Sequence, residues 1–224
     1  MVKTVLRSTL VSAGLAASLI AGSAVAAPCT GVSLGTSATT DVTFAGLASD
    51  ACVISTVNPQ AGVNGDTSGF SGTFGGGWSL LGKVTGAGSN TLNGISFAWT
   101  FTEAASHKNG TWSLTTDKNA TFDLVFAMHA ANRSGAFLFD DQPTLANQLT
   151  NGTWQINWLN NGGNVPDFSN LTLFARDVVM TPVPEPETYA LLLAGLATMT
   201  FVARRRERSS RAGGRRAVGG HGCV

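Results

Sequence analysis

Apolar side chains recur at every second position through successive stretches of this chain, and that period limits what the chain can fold into. Phe97, Trp99 and Phe101 alternate with polar or small residues, as do Trp112 and Leu114. Phe122, Leu124, Phe126 and Met128 mark a longer run, followed by Phe137 with Phe139, then Trp154, Ile156 and Trp158, then Leu171 and Leu173. Trp78, Leu80 and Lys83 mark an earlier run, entered through Gly75-Gly76-Gly77. A two-residue period puts each set on one face of an extended strand, because successive Cβ atoms of a strand point to opposite sides. Turn-forming clusters separate the runs: Lys108-Asn109-Gly110, Asp117-Lys118-Asn119, Asn132-Arg133-Ser134-Gly135, Asn151-Gly152 and Asn160-Asn161-Gly162-Gly163. Asn and Gly tolerate the positive φ that tight hairpins demand. Strands at this spacing, with no convincing helix between them, predict an all-β domain, an antiparallel β-sandwich of jelly-roll type. No repeat of fixed period occurs, so a solenoid is not expected.

The two ends of the chain read differently. Lys3 and Arg7 precede an apolar stretch from Leu10 to Ile20, and Ala24-Val25-Ala26 offers small residues at Ala24 and Ala26 for signal peptidase. That is the layout of a secretory signal peptide over residues 1–26, with the mature protein starting at Ala27. Cys29 lies near the cleavage point, but Pro28 stands where a lipobox needs Gly, Ala or Ser, so lipidation is not expected.

At the other end, Val183-Pro184-Glu185-Pro186-Glu187-Thr188 leads into an uncharged run from Tyr189 to Ala203, which stops at Arg204-Arg205-Arg206-Glu207-Arg208. Proline fixes φ and removes a backbone donor, so Pro184 and Pro186 hold the box extended, as a protease cleft requires. Leu191, Leu192, Leu193, Leu196, Met199 and Phe201 supply surface for lipid, and the arginines stay cytoplasmic. A helix over 189–203 would rise about 22 Å, against a hydrocarbon core of roughly 30 Å. Snorkelling arginines and an interfacial Tyr189 would close much of that gap. An ordinary single-pass anchor, or a buried helix with a basic tail, is the alternative.

Box, short apolar helix and arginine cluster, in that order, resemble the PEP-CTERM sorting signal over residues 184–208. The resemblance implies an exported precursor, anchored in the inner membrane, whose Pro184, Glu185 and Pro186 are recognised by exosortase, with Arg204, Arg205 and Arg206 as the stop. Exosortase and signal peptidase are the partners it implies. The tail over residues 209–224, basic and cytoplasmic on this reading, is longer than such signals usually carry. The region over 27–183 is similar to domains often attached to this signal, through Gly76-Gly77-Trp78-Ser79-Leu80-Leu81-Gly82-Lys83, Gly152-Thr153-Trp154-Gln155-Ile156-Asn157-Trp158 and Asn170-Leu171-Thr172-Leu173-Phe174. That likeness implies a surface or matrix protein and supplies no activity. The C-terminal segment is also labelled after ice-binding proteins, but no flat, regular Thr array is visible in the sequence to support ice binding.

Charge separates along the same boundaries. Residues 27–183 carry five Lys and Arg against ten Asp and Glu, a net charge of −5, although the whole chain is +1. A nucleic-acid partner is therefore not expected. Cys29 and Cys52 are the two cysteines of the exported part, and Cys223 would remain cytoplasmic. In an oxidising compartment Cys29 and Cys52 are the natural disulfide pair; two unconnected buried thiols are the alternative.

Motifs for chemistry are weak. Gly77-Trp78-Ser79-Leu80-Leu81-Gly82-Lys83 nearly spells a phosphate loop, but Val84 lacks the hydroxyl that would hold magnesium. Gly31-Val32-Ser33-Leu34-Gly35 matches a nucleophile elbow in letters only. Glu103 is the one Glu between residues 27 and 183, so no glutamate pair exists for glycoside hydrolysis. His129 is placed to pair with Asp123 or Asp140, more simply as a satisfied rim histidine than as a base. Asn64-Gly65-Asp66-Thr67-Ser68-Gly69 starts like a calcium loop, but its twelfth position is Gly75 rather than Glu. Asp140-Asp141 could serve a strand-edge calcium; a solvated acidic turn is the plainer reading. No catalytic, cofactor or metal residue is assigned. The expectation is a non-enzymatic exported protein of the cell envelope or extracellular matrix, with exopolysaccharide as a candidate partner. A carbohydrate-binding lectin is the alternative and a secreted hydrolase the weaker one. An exposed Trp pair beside a groove would favour the lectin, and a buried acid of raised pKa the enzyme.

Overall fold

The alternating runs become long strands that close over one another. The computed structural model describes residues 26–32, 35–182 and 186–213. In chain order the strands are β1 (Thr30–Gly31), β2 (Thr43–Phe44), β3 (Leu47–Ala48), β4 (Ala51–Ser55), β5 (Ser79–Val84) and β6 (Gly88–Leu92). They continue with β7 (Ile95–Glu103), β8 (Asn109–Thr116), β9 (Ala120–Ala130), β10 (Arg133–Thr144), β11 (Thr150–Gln155) and β12 (Asn170–Met180). Two α-helices accompany them, a single turn α1 (Ser71–Phe74) and α2 (Pro186–Gly213).

One sheet has six strands in the order β1-β4-β10-β9-β12-β5, a second has four in the order β11-β8-β7-β6, and β2 pairs with β3 as a separate hairpin. All named pairings are antiparallel except β1 with β4. The inward residues of both sheets belong to one apolar cluster. Phe97 of β7 meets Phe122 of β9 edge-on at 5.1 Å between ring centroids, and Trp112 of β8 meets Phe126 of β9 at 4.8 Å. The two sheets therefore face each other across a shared aromatic core.

β9 is apolar on both sides, which a simple in-out alternation does not foresee. Phe122, Leu124, Phe126 and Met128 enter the shared core, while Val125 and Ala127 join Val53, Ala136 and Phe174 in a second cluster on the other face of the six-stranded sheet. Phe70 and Phe74 cover that face from the segment between β4 and β5. A strand buried on both faces reads as a nearly continuous apolar run. Trp78 and Leu80 share one face as expected, but it is this outer face; Leu81 and Val84 of β5 point into the core.

The C-terminal helix departs from its predicted bounds. It spans Pro186–Gly213, beginning before Tyr189 and continuing five residues past Arg208 into the basic tail. No helix among the described residues is long and apolar enough to cross a membrane, so the full transmembrane helix expected at 189–203 is not found among them. The physical reason is composition: the uncharged run is flanked at once by Glu187 and Arg204, so lengthening the helix adds polar residues, not apolar ones.

Candidate functional site

The folded domain ends where the C-terminal signal begins. β12 stops at Met180, and the next residue is still fastened, its N–H donating to the Asn119 carbonyl at 3.0 Å. Asn119 holds a second segment as well, since its Oδ1 accepts the Ala146 N–H at 2.7 Å. Pro184 and Glu185 lie outside the described residues. Pro186 occupies the start of α2, a position that suits proline because the first helical N–H has no intrahelical acceptor. Leu191, Leu192, Leu193, Leu196, Met199 and Phe201 are all exposed on α2. Thr198 and Thr200 turn their hydroxyls back to the carbonyls of Gly195 and Ala197, each at 2.8 Å. Those hydroxyls therefore need no partner from solvent. Arg204 is exposed; Arg205 and Arg206 follow it within the helix.

At the opposite terminus Ala24 lies outside the described residues and Ala26 is exposed. Ala27, the expected mature N-terminus, is fastened at once. Its N–H donates to Thr39 Oγ1 at 3.2 Å, and its carbonyl accepts the Thr39 N–H at 2.9 Å. Cys29 and Cys52 are joined in a disulfide with Cα atoms 4.7 Å apart, both buried. The bond fixes the N-terminal segment to β4, beside the β1–β4 ladder.

The remaining candidates are engaged in holding the fold. Asp123, buried on β9, accepts Arg176 Nε at 2.7 Å and the Asp141 N–H at 2.9 Å. Arg176 also donates to the Phe74 carbonyl at 2.7 Å and lies 4.2 Å from the Trp78 ring centre. This cluster clamps the covering segment onto the sheet. Sequence reasoning missed it, because residues 53 positions apart on two strands show no local pattern. The backbone N–H groups of Asp140 and Asp141, weighed for calcium, donate to Asp50 Oδ2 and Asp123 Oδ1. Burial, then the charge of Asp123, raises the Asp140 pKa. Among the described residues no three His, Cys, Asp or Glu side chains gather as a metal ion would require.

His129 does not pair with Asp123 or Asp140 as the sequence suggested. Its Nδ1 lies 2.7 Å from Ser134 Oγ, which itself donates to the Val57 carbonyl at 2.6 Å. Asp123 lies on the same face of β9 but six residues away, about 20 Å at the rise of a strand, where it binds Arg176. Burial lowers the His129 pKa. His107 pairs with Glu103 at 2.7 Å on the surface. Lys83, the lysine of the near phosphate loop, donates to the Gly62 carbonyl, and the segment from Ser79 is strand, where a phosphate loop needs a helix. Asp66 accepts the Ser68 N–H at 2.9 Å, and hydrogen bonding to the Ser68 side chain, then to that N–H, lowers its pKa.

Asp41 is buried, and burial is the main cause that raises its pKa. Its oxygens accept Asn157 Nδ2 at 2.8 Å, Gln155 Nε2 at 3.2 Å and the Ala38 N–H at 3.1 Å. All three donors are neutral, so they offset the desolvation only in part. These bonds tie the turn at Thr39–Asp41 to the chain around β11.

Residues 182–206 match the family model described as the PEP-CTERM protein-sorting motif. The chain thus carries the signal of an exported, membrane-anchored precursor processed by exosortase. No curated protein matches the chain, and no solved structure does.

Proposed function

We propose that residues 27–183 are the exported cargo, a non-enzymatic β-sandwich displayed on, or released into, the cell envelope and extracellular polysaccharide. α2 holds the precursor in the inner membrane until exosortase cuts near Pro184, Glu185 and Pro186. The observation that carries this reading is the row of exposed apolar side chains on α2, directly after the matched box. Leu191, Met199 and Phe201 in water would each forgo roughly 1.5–3 kcal/mol of burial. A bilayer supplies that burial, and the exposed Arg204 can reach for the interface to shorten the span required. Replacing Glu185 and Pro186 by Ala in a host that has exosortase should leave export intact and abolish C-terminal processing. Normal trimming of that variant, read by C-terminal mass spectrometry, would count against the sorting role.

One observation favours a second reading, carbohydrate binding. A cleft of about 520 Å³ between the β2–β3 hairpin and the four-stranded sheet is lined by Thr43, Thr100, Thr111, Ser113, Asn151 and Thr153 together with the apolar Trp112 and Leu149, and no charged side chain is among its lining. Neutral hydroxyls and amides match the hydroxyls of a neutral sugar. An exposed Trp pair finds no support, since Trp99, Trp112, Trp154 and Trp158 are buried and Trp78, half-buried, lies under the Arg176 guanidinium. Retention of the wild type, but not of Asn151→Leu, on the host's own polysaccharide would support this reading. Equal passage of both through the column removes it.

A further inference from the structure

The end of the domain from which the sorting signal leaves carries exposed apolar side chains. β9 pairs Ala120 with Thr144 of β10 on one side and with Met180 of β12 on the other. Strands lie about 4.8 Å apart, so Leu145, one residue past Thr144, and Met180 share this end of the sheet at a spacing of roughly 10 Å. Leu145, Val179 and Met180 are 59%, 59% and 53% exposed. Single exposed apolar residues are ordinary; three at one sheet end, around the clamp that Asn119 makes on Ala146 and Thr181, are a surface. A shallow cleft beside Met180 is lined by Asp117 and Lys118, one charge of each sign, with Asn119, Ala146, Thr181 and Pro182.

Covalent geometry decides what this rim meets. From Pro182, next to the fastened Thr181, to Pro186 at the start of α2 there are four residue steps. Four steps reach at most about 14 Å. If α2 enters lipid, the rim cannot stand far from the surface it enters.

We propose that Leu145, Val179 and Met180 form a membrane-docking rim, seated in the outer interfacial layer of the bilayer that holds α2. The inference rests on the reading of α2 as the anchor. Lipid is the occupant favoured here because the tether is short and the rim side chains are apolar. Docking would hold the sorting box close to the bilayer surface, within reach of a protease embedded in the membrane.

The test uses the full-length precursor with Cys223→Ser, leaving the Cys29–Cys52 disulfide in place, and a single added cysteine carrying an environment-sensitive fluorophore. Leu145→Cys and Met180→Cys report the rim independently, so failure of one to fold leaves the other. Val63→Cys is the control: it adjoins Gly62, whose carbonyl takes Lys83, and Lys83 pairs with Thr172 at the far end of β12. The protein is reconstituted into phosphatidylethanolamine–phosphatidylglycerol vesicles bearing headgroup-attached nitroxides. The expected result is a blue shift and loss of fluorescence at 145 and 180, with neither at 63. Rim probes that stay bright while α2 resists alkaline carbonate extraction would overturn the docking rim alone and leave the anchor standing. Release of the protein by carbonate would overturn both.

Discussion

Gly152 stands directly opposite Trp112 in the β8–β11 ladder, and the Trp112 indole fills the space a side chain at 152 would occupy. The indole N–H donates past it to the Thr43 carbonyl at 3.0 Å. The same relationship recurs in this sheet, with Gly110 opposite Trp154 and Gly88 opposite Trp99. Glycine in a strand weakens it unless a neighbour covers the exposed backbone, and here an indole does so in each case. The four-stranded sheet is thus built on paired Gly and Trp, each making room for the other.

From this pairing follows the effect of adding one carbon. Gly152→Ala places a methyl group against Trp112 and the Thr43 carbonyl, and should destabilise the domain by about 1–3 kcal/mol, the range for overpacking a tight site. Gly76→Ala, where a Cβ meets nothing within 4 Å, should stay near the wild-type midpoint. Urea unfolding of the two variants beside the wild type checks this; equal midpoints would mean that the indole yields freely.

Truncating the tryptophan should cost more. Trp154 is fully buried, stacks on Phe101 at 5.0 Å and donates to the Thr102 carbonyl at 3.2 Å. Trp154→Ala is expected to lose about 3–5 kcal/mol and to unfold the domain rather than remove a selective binding activity. Circular dichroism with glycan pull-down separates the outcomes. A folded variant that no longer binds polysaccharide would place this residue in a binding role.

The core of this fold was legible because its residues obey a strict period of two. Phe97 and Trp99, Trp112 and Leu114, the four apolar residues of β9, and Trp154, Ile156 and Trp158 are all buried on the faces the alternation assigned. The N-terminal third was not legible. In β4, Cys52 and Ile54 enter the shared core while Val53 enters the outer cluster, so both faces are apolar and the period disappears. β6 reads Gly-Ser-Asn-Thr-Leu, an edge strand with almost no apolar side to announce it. The sorting signal was legible for a different reason: box, apolar run and arginines are contiguous in sequence. The Asp123–Arg176–Trp78 clamp joins three separate segments, and nothing local could reveal it.

The disulfide should matter to stability in proportion to the chain it closes. Cys29 and Cys52 are 23 positions apart, and closing such a loop removes unfolded-state entropy worth about 3 kcal/mol. Cys52→Ser should lower the melting temperature accordingly. The exported protein should show no alkylation at Cys29 or Cys52 without prior reduction. Alkylation of both in the untreated protein would contradict the bond.

Asp41 should give the domain a pH dependence opposite to that of an ion-paired carboxylate. Burial raises its folded-state pKa above the ordinary 3.8, and its donors Asn157, Ala38 and Gln155 are neutral, so no cation reverses the shift. Between 3.8 and the raised value the folded state binds more protons at this site than the unfolded state does. Stability from this group therefore rises as pH falls through that window, and is lost as pH climbs above it. Asp41→Asn removes the titration, although it places one amide against the donors and lowers stability by an amount that does not change with pH. The difference in unfolding free energy between wild type and Asp41→Asn should widen in favour of the wild type from about pH 7 to about pH 4. Asp66, whose pKa is lowered by its Ser68 bonds, contributes the reverse slope to both proteins and cancels in that comparison. Denaturant midpoints measured across the range decide it, and parallel curves would show that Asp41 titrates alike in the folded and unfolded chains.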